Sequence, residues 1–149
     1  MRFAAIAIIV SLAISAPVFG YEVSKHPKAD PTGSTYDQGR IQVHQGNWQG
    51  AIDLFRIAIS EDRNNYKAYT LLGYSLRHAG RISEAIAAYS RAVKINPGYA
   101  ELREYRGKAY VLAGNVPAAM SDYRTLVAMG SPLAEDLRAA IDRGTRSAN

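Results

Sequence analysis

The chain of 149 residues contains no cysteine. That absence excludes a disulfide-stapled scaffold, a thiolate zinc site and a cysteine nucleophile together. Catalytic motifs are missing too: there is no H-E-x-x-H, no glycine-rich phosphate loop ending in Lys-Ser/Thr and no C-x-x-C. Gly73-Tyr74-Ser75-Leu76-Arg77 starts like the elbow that presents a nucleophilic serine, but arginine stands where its second glycine belongs. A non-enzymatic chain with no cofactor and no metal is the expectation. Charge of one sign is not in large excess either, with 18 Lys and Arg against 13 Asp and Glu and a net charge of +5. A mixed surface of this kind does not suit nucleic acid, and none is expected as a partner. Long hydrophobic runs are also lacking. The longest, Phe3 to Ile14, is interrupted by Ser11 and is too short for ~30 Å of hydrocarbon.

What is present starts with an address. Met1-Arg2 opens the chain, the apolar run follows, and Ser15, Ala16, Pro17, Val18, Phe19 and Gly20 close it with small residues suited to cleavage. This order is that of a secretory signal peptide over residues 1–20, which predicts a periplasmic or secreted protein that meets the membrane only through that signal. Residues 21–31, with Lys25, His26, Pro27, Lys28, Asp30 and Pro31, read as an extended leader.

From Thr32 the chain repeats itself every 34 residues. Gly39, Gly73 and Gly107 form one column; Gly46, Gly80 and Gly114 a second; Ala51, Ala85 and Ala119 a third; Phe55, Tyr89 and Tyr123 a fourth. Such a period indicates a solenoid, with repeats over 32–65, 66–99 and 100–133. Each repeat holds two helices. In the second, Tyr69, Leu72, Gly73 and Leu76 recur at helical spacing, His78-Ala79-Gly80-Arg81 breaks the run, and Ile82, Ala85, Ile86, Tyr89, Ala92 and Val93 resume it. Gly80 suits the left-handed residue that ends a helix, and Asn96-Pro97-Gly98 ends the pair because proline cannot continue the ladder. Gly73 and Ala85 fall where two antiparallel helices approach closely, with the aromatic at 55, 89 and 123 filling the space beside each crossing. A bulky residue at Gly73 would cost roughly 1–3 kcal/mol by overpacking. Beyond the repeats, Ser131-Pro132 starts a further helix, Leu133, Leu137, Ala140 and Ile141 make its apolar stripe, and Gly144 is expected to end it. That helix caps the solenoid within 134–149, ahead of a frayed tail from Thr145.

These residues resemble the tetratricopeptide repeat family, whose pattern is W-x₂-L-G-x₂-Y, then A-x₃-F, then P. The second repeat gives Tyr69-x₂-Leu72-Gly73-x₂-Leu76, Ala85-x₃-Tyr89 and Pro97. The third gives Gly107-x₂-Tyr110 and Ala119-x₃-Tyr123, with Arg103 and Arg106 at usually apolar places and Pro132 one residue late. The first keeps Gly39 and Ala51-x₃-Phe55 but carries Thr35, Gln38 and Gln42 where apolar residues are usual. The resemblance implies an all-α solenoid of three helix-turn-helix repeats plus the capping helix. It also implies a non-enzymatic module that binds another protein, by a peptide or helix, on the concave face of the first helices.

Carried over by position, that face holds Tyr36, Arg40, Val43 and His44 from the first repeat. The second gives Lys67, Thr70, Tyr74, Arg77 and His78, and the third Glu101, Glu104, Lys108, Val111 and Leu112. Arg40 and Arg77 are the expected contacts for an acidic or C-terminal carboxylate of the partner. The family's chaperone-tail clamp needs Lys, Asn and Arg at places occupied here by Tyr36, Arg40, Leu71, Glu101 and Tyr105, so that clamp is absent. His44 and His78 lie 34 apart. Either they share a ligand, or each is a polar residue near a helix C-terminus, where positive charge suits the dipole. The other function class that fits is a structural subunit or assembly factor of a cell-envelope complex.

Overall fold

A computed structural model describes residues 33–147, so the expected signal peptide and leader lie outside the described residues. Those described form seven α-helices: α1 (Thr35–His44), α2 (Trp48–Glu61), α3 (Tyr66–His78), α4 (Ile82–Ile95), α5 (Ala100–Leu112), α6 (Val116–Ala128) and α7 (Leu133–Ser147). No strand occurs among them.

Three pairs, α1/α2, α3/α4 and α5/α6, pack internally, and α2/α3 and α4/α5 join one pair to the next. The fold is an all-α solenoid. Glycine sets the turns inside the pairs: Gly46, Gly80 and Gly114 have φ of 70°, 76° and 72°, a region that costs an L side chain free energy. Each is followed by a residue whose N–H closes the preceding helix on a carbonyl five residues back: Asn47 to Gln42, Arg81 to Leu76 and Asn115 to Tyr110. Gly130 (φ 64°) and Ser131 repeat the device before α7. Asn47 and Asn115 also cap the next helix, their side chains accepting from Gly50 N and Ala118 N. One residue thus stops one helix and starts another, which fixes the tight turn.

The crossings follow the glycine and alanine columns in the first two repeats. A Cβ added at Gly39 would sit 2.7 Å from the Phe55 ring, and one at Gly73 2.8 Å from the Tyr89 ring. Ala51, Ala85 and Ala119 are fully buried. The third repeat departs from this scheme. A Cβ at Gly107 would meet Leu137 Cδ2 of α7 at 2.5 Å, while Tyr123 stays half-buried beneath Arg138. The aromatic expected over Gly107 is therefore replaced by an aliphatic from the capping helix. The same repeat also carries a charged column. Arg106 stands at the place of Leu72 and Asp122 at that of Ala88, and the two pair inside the repeat: Arg106 Nε and Nη2 donate to Asp122 Oδ2 and Oδ1 at 2.8 and 2.5 Å.

The polar α1 is held by its neighbours. Thr35 Oγ1 donates to Glu61 Oε1 (2.9 Å), Gln38 to the Gly33 carbonyl (3.3 Å), and Gln42 Oε1 accepts from Asn47 (2.6 Å). The capping helix needs a correction. It starts at Leu133, with Ser131 Oγ accepting from Leu133 N, and Gly144 lies inside it. A Cβ at Gly144 would stand 2.5 Å from Val111 Cγ1, so this glycine lets α7 approach α5 and does not stop the helix. The chain from Thr145 to Ser147 is consequently helical, not frayed.

Candidate functional site

The first helices of the three pairs line one face, and a groove of about 620 Å³ runs along it. From α1 come Tyr36, Arg40, Val43 and His44; from α3 come Tyr66, Lys67, Thr70, Leu71 and Tyr74; Tyr99 and Tyr105 close the far side. Seven of the residues assigned to a binding face meet there: Tyr36, Arg40, Val43, His44, Lys67, Thr70 and Tyr74. Helical spacing explains the set, because Tyr66, Thr70 and Tyr74 follow each other at i, i+4 and i+8 on α3.

Five tyrosines give the groove its character: Tyr36, Tyr66, Tyr74, Tyr99 and Tyr105. The Tyr66 and Tyr99 rings meet edge to face at 5.8 Å. Burial raises the pKa of Tyr36, against the lowering effect of Arg40. Burial likewise raises Tyr105, helped by the negative charge of Glu104. Both hydroxyls therefore stay protonated and able to donate at neutral pH. Arg40 is held loosely by Asp37 at 3.4 Å, in an exposed ion pair. Thr70 spends its hydroxyl on the Tyr66 carbonyl at 2.7 Å.

The other assigned residues sit elsewhere. Arg77 lies over the Tyr74 ring, its guanidinium carbon 5.4 Å from the centroid, and Nη2 is 3.4 Å from His78 Nε2. It braces a groove tyrosine from outside the lining. Glu104 is buried and ion-paired with Lys108, so neither is a free groove charge. Glu101 lies outside the lining, close enough to Tyr105 for its charge to be felt. His44 and His78 are not brought together: His44 lines the groove, whereas His78 stacks on Trp48, centroids 4.5 Å apart and rings 20° from parallel. Tyr74 packs against the same pair, its ring tilted by 48° at 4.4 Å from His78. Among the described residues no group of three or more His, Asp or Glu is arranged to hold a metal ion.

Sequence reading missed Tyr66, Tyr99 and Trp48. Tyr66 and Tyr99 are 33 residues apart, so a 34-residue column separates them and conceals a pair that touches in space. Leu71 and Tyr105 do share a column. They enter above only as places where clamp residues are lacking, not as lining in their own right.

The Trp48 stack makes a measurable pH response. Burial, then the nearby Arg77 charge, holds the His78 imidazole below its ordinary pKa. A lowered histidine pKa in the folded state means that the unfolded chain takes up the proton first. Its stabilising contribution is then complete above ~6.5 and is lost as pH falls through the folded value. The denaturation midpoint should fall between about pH 7 and 5, less steeply in His78→Gln. Trp48 is the only tryptophan, so its emission should titrate with a midpoint below ~6.5 and lose that titration in the variant. An unchanged titration in His78→Gln would assign it to another group.

Known proteins place this architecture. Residues 36–100 match the tetratricopeptide repeat family. The small glutamine-rich tetratricopeptide repeat-containing protein 2 of Mycosarcoma maydis is 31% identical over 97 residues. That stretch is 62% of this chain and 28% of the relative, so the chain spans little more than a quarter of that protein's length. The second TPR domain of human RPAP3, in complex with an HSP70 peptide, matches with a TM-score of 0.68 at 21% identity, over 73% of this chain and 92% of that one. The Yersinia enterocolitica type III secretion chaperone SycD, in complex with a peptide of the translocator YopD, matches with a TM-score of 0.68 at 14% identity, over 77% and 92%. Likeness at those identities establishes the fold. The matched stretch runs from Tyr36 through the second helix pair, and α5 and α6 repeat the same unit, so the chain carries tetratricopeptide-type repeats.

Proposed function

We propose that this protein is a non-enzymatic interaction module that holds a segment of another protein in the groove of α1, α3 and α5, and that it does so outside the cytoplasm. One observation carries the reading. Five tyrosines, Arg40 and Lys67 share a single open groove with no carboxylate among its described lining residues. Tyrosine and arginine supply rigid contact area and charge-assisted hydrogen bonds, the chemistry of peptide anchoring. The human RPAP3 domain and SycD hold peptides of their partners on the same fold, which supports a peptide ligand here. The cationic end of the groove favours an acidic segment or a C-terminal carboxylate. Because Arg77 is turned onto Tyr74, Arg40 and Lys67 are the contacts for it. The N-terminal signal composition supports a periplasmic or secreted location.

The test is capture of partners from an envelope extract by the protein and by its Arg40→Glu/Lys67→Glu variant. Each charge-assisted contact is worth about 1.5–3 kcal/mol, so capture should fall at least tenfold, and more steeply at low salt. Equal capture by both proteins would remove the groove as the binding surface.

A further inference from the structure

The hydrogen-bonding side chains of the groove are mostly hydroxyls, which donate and accept. Its polar side chains are five tyrosine hydroxyls, two cations, His44 and Thr70, with no carboxylate and no amide among the lining residues. Thr70 is already engaged within α3. The walls are helices whose backbone N–H and C=O groups bond within their own ladders, so the groove offers no strand edge for a peptide to pair with. An ordinary extended peptide brings one N–H per residue into this site, where only side-chain oxygens and the His44 ring can accept it and no backbone edge matches its spacing. Each N–H left unmatched weakens binding. Proline removes the difficulty because it carries a carbonyl and no N–H. In the polyproline II helix those carbonyls make no internal bond and point outward. They then face tyrosine hydroxyls, while the pyrrolidine rings rest on tyrosine faces, as in other aromatic-lined grooves that take such segments.

Resting on the groove reading above, we propose that the ligand is a proline-rich segment in polyproline II form with an acidic flank, the rings seated among Tyr66, Tyr99 and Tyr105 and the acid on Arg40 and Lys67. One proline ring rests on the outer side of the Tyr66 and Tyr99 pair, whose rings meet edge to face at 65°. An amphipathic helix fits less well. Its carbonyls are consumed in its own ladder, which leaves the row of hydroxyls with nothing to donate to except side chains. Positive charge at the α1/α3 end fixes the direction in which the segment lies.

The test is fluorescence anisotropy on protein purified after expression of the full-length chain. Three labelled probes are used: a decaproline ending in two glutamates, the same peptide with alanine for every proline, and an acidic amphipathic helix. The decaproline probe should bind at least tenfold more tightly than either of the others. Tyr99→Ala and Tyr105→Ala, at positions 42% and 38% exposed, should keep the thermal melt and weaken the decaproline probe about fivefold or more. Tyr99→Phe and Tyr105→Phe, which keep the ring and lose the donor, should fall between. The proposal is overturned if the alanine or helical probe binds as tightly, if no probe binds, or if a peptide of residues 21–31 displaces the decaproline probe at lower concentration than its unlabelled self. Extract capture distinguishes the two readings. If it still depends on Arg40 and Lys67, the groove reading stands and only the proline ligand falls; if it does not, both fall.

Discussion

Replacing Asp122 with alanine is expected to destabilise the protein by about 3–5 kcal/mol, because it strands buried arginine charge. The carboxylate is 2% exposed, between α5 and α6. Arg106 grips it with two bonds, Arg103 Nη1 lies 3.6 Å from Oδ1, and Ser90 on α4 is 3.5 Å from Arg106 Nη1. Arg103 already has an Nε buried without a hydrogen-bond partner, so little in the surroundings can compensate. The repeat itself supplies the control. At the same places the second repeat has Leu72 and Ala88, both buried and apolar. The double variant Arg106→Leu/Asp122→Ala restores that pair and should be far less destabilised than Asp122→Ala. Replacing a buried ion pair by packed apolar residues is commonly neutral, or stabilising by about 1–4 kcal/mol. Urea denaturation of the three proteins decides the matter. If the double variant is as unstable as the single one, Arg106 has a structural role beyond its charge.

The same pair marks the boundary of what was legible from residues alone. A glycine whose added Cβ must strike an aromatic ring is a strong signal, because only glycine fits there and the aromatic recurs at a fixed distance. The Gly39–Phe55 and Gly73–Tyr89 crossings, and the helix pairs built on them, were therefore readable. Column logic fails once the environment of a column changes. Charge at Arg106 and Asp122 altered the inside of the third repeat, and the end of the solenoid offered Leu137 to Gly107 in place of a neighbouring repeat. Gly144 looked like a stop for a similar reason: from sequence, a glycine that ends a helix and one that lets two helices touch are the same letter. In the groove, residues on the exposed side of α1 and α3 were placed by helical spacing. Arg77 was misassigned because a cation can lie against a ring or reach into solvent from the same Cα. Tyr66 and Tyr99 needed three dimensions, since the loop between the pairs shifts one of them by a residue.

Leu137→Ala should destabilise the protein by about 2–5 kcal/mol. Leu137 is fully buried in the cluster with Ala119, Leu126, Ala134 and Ile141, and its Cδ atoms occupy the space that Gly107 leaves vacant. Truncation opens a cavity that Gly107 cannot help to fill, having no side chain of its own. A second substitution tests this directly. A Cβ at Gly107 would stand 2.5 and 2.7 Å from the two Leu137 methyl carbons, so Gly107→Ala alone should destabilise, yet in the Leu137→Ala background it should restore stability. Part of that recovery comes from helix propensity, about 0.5–1 kcal/mol for glycine to alanine, and the excess over it measures the filled void. Because each unit of a solenoid touches only its neighbours, the damage should remain local. Hydrogen exchange in Leu137→Ala should lose protection across α7 and the facing side of α5, while α2 and α3 keep theirs. Groove binding should then weaken only as far as Tyr105 shifts with α5. Additive free energies in the double variant, or uniform loss of protection through α1 to α4, would contradict a capping helix anchored locally through Leu137.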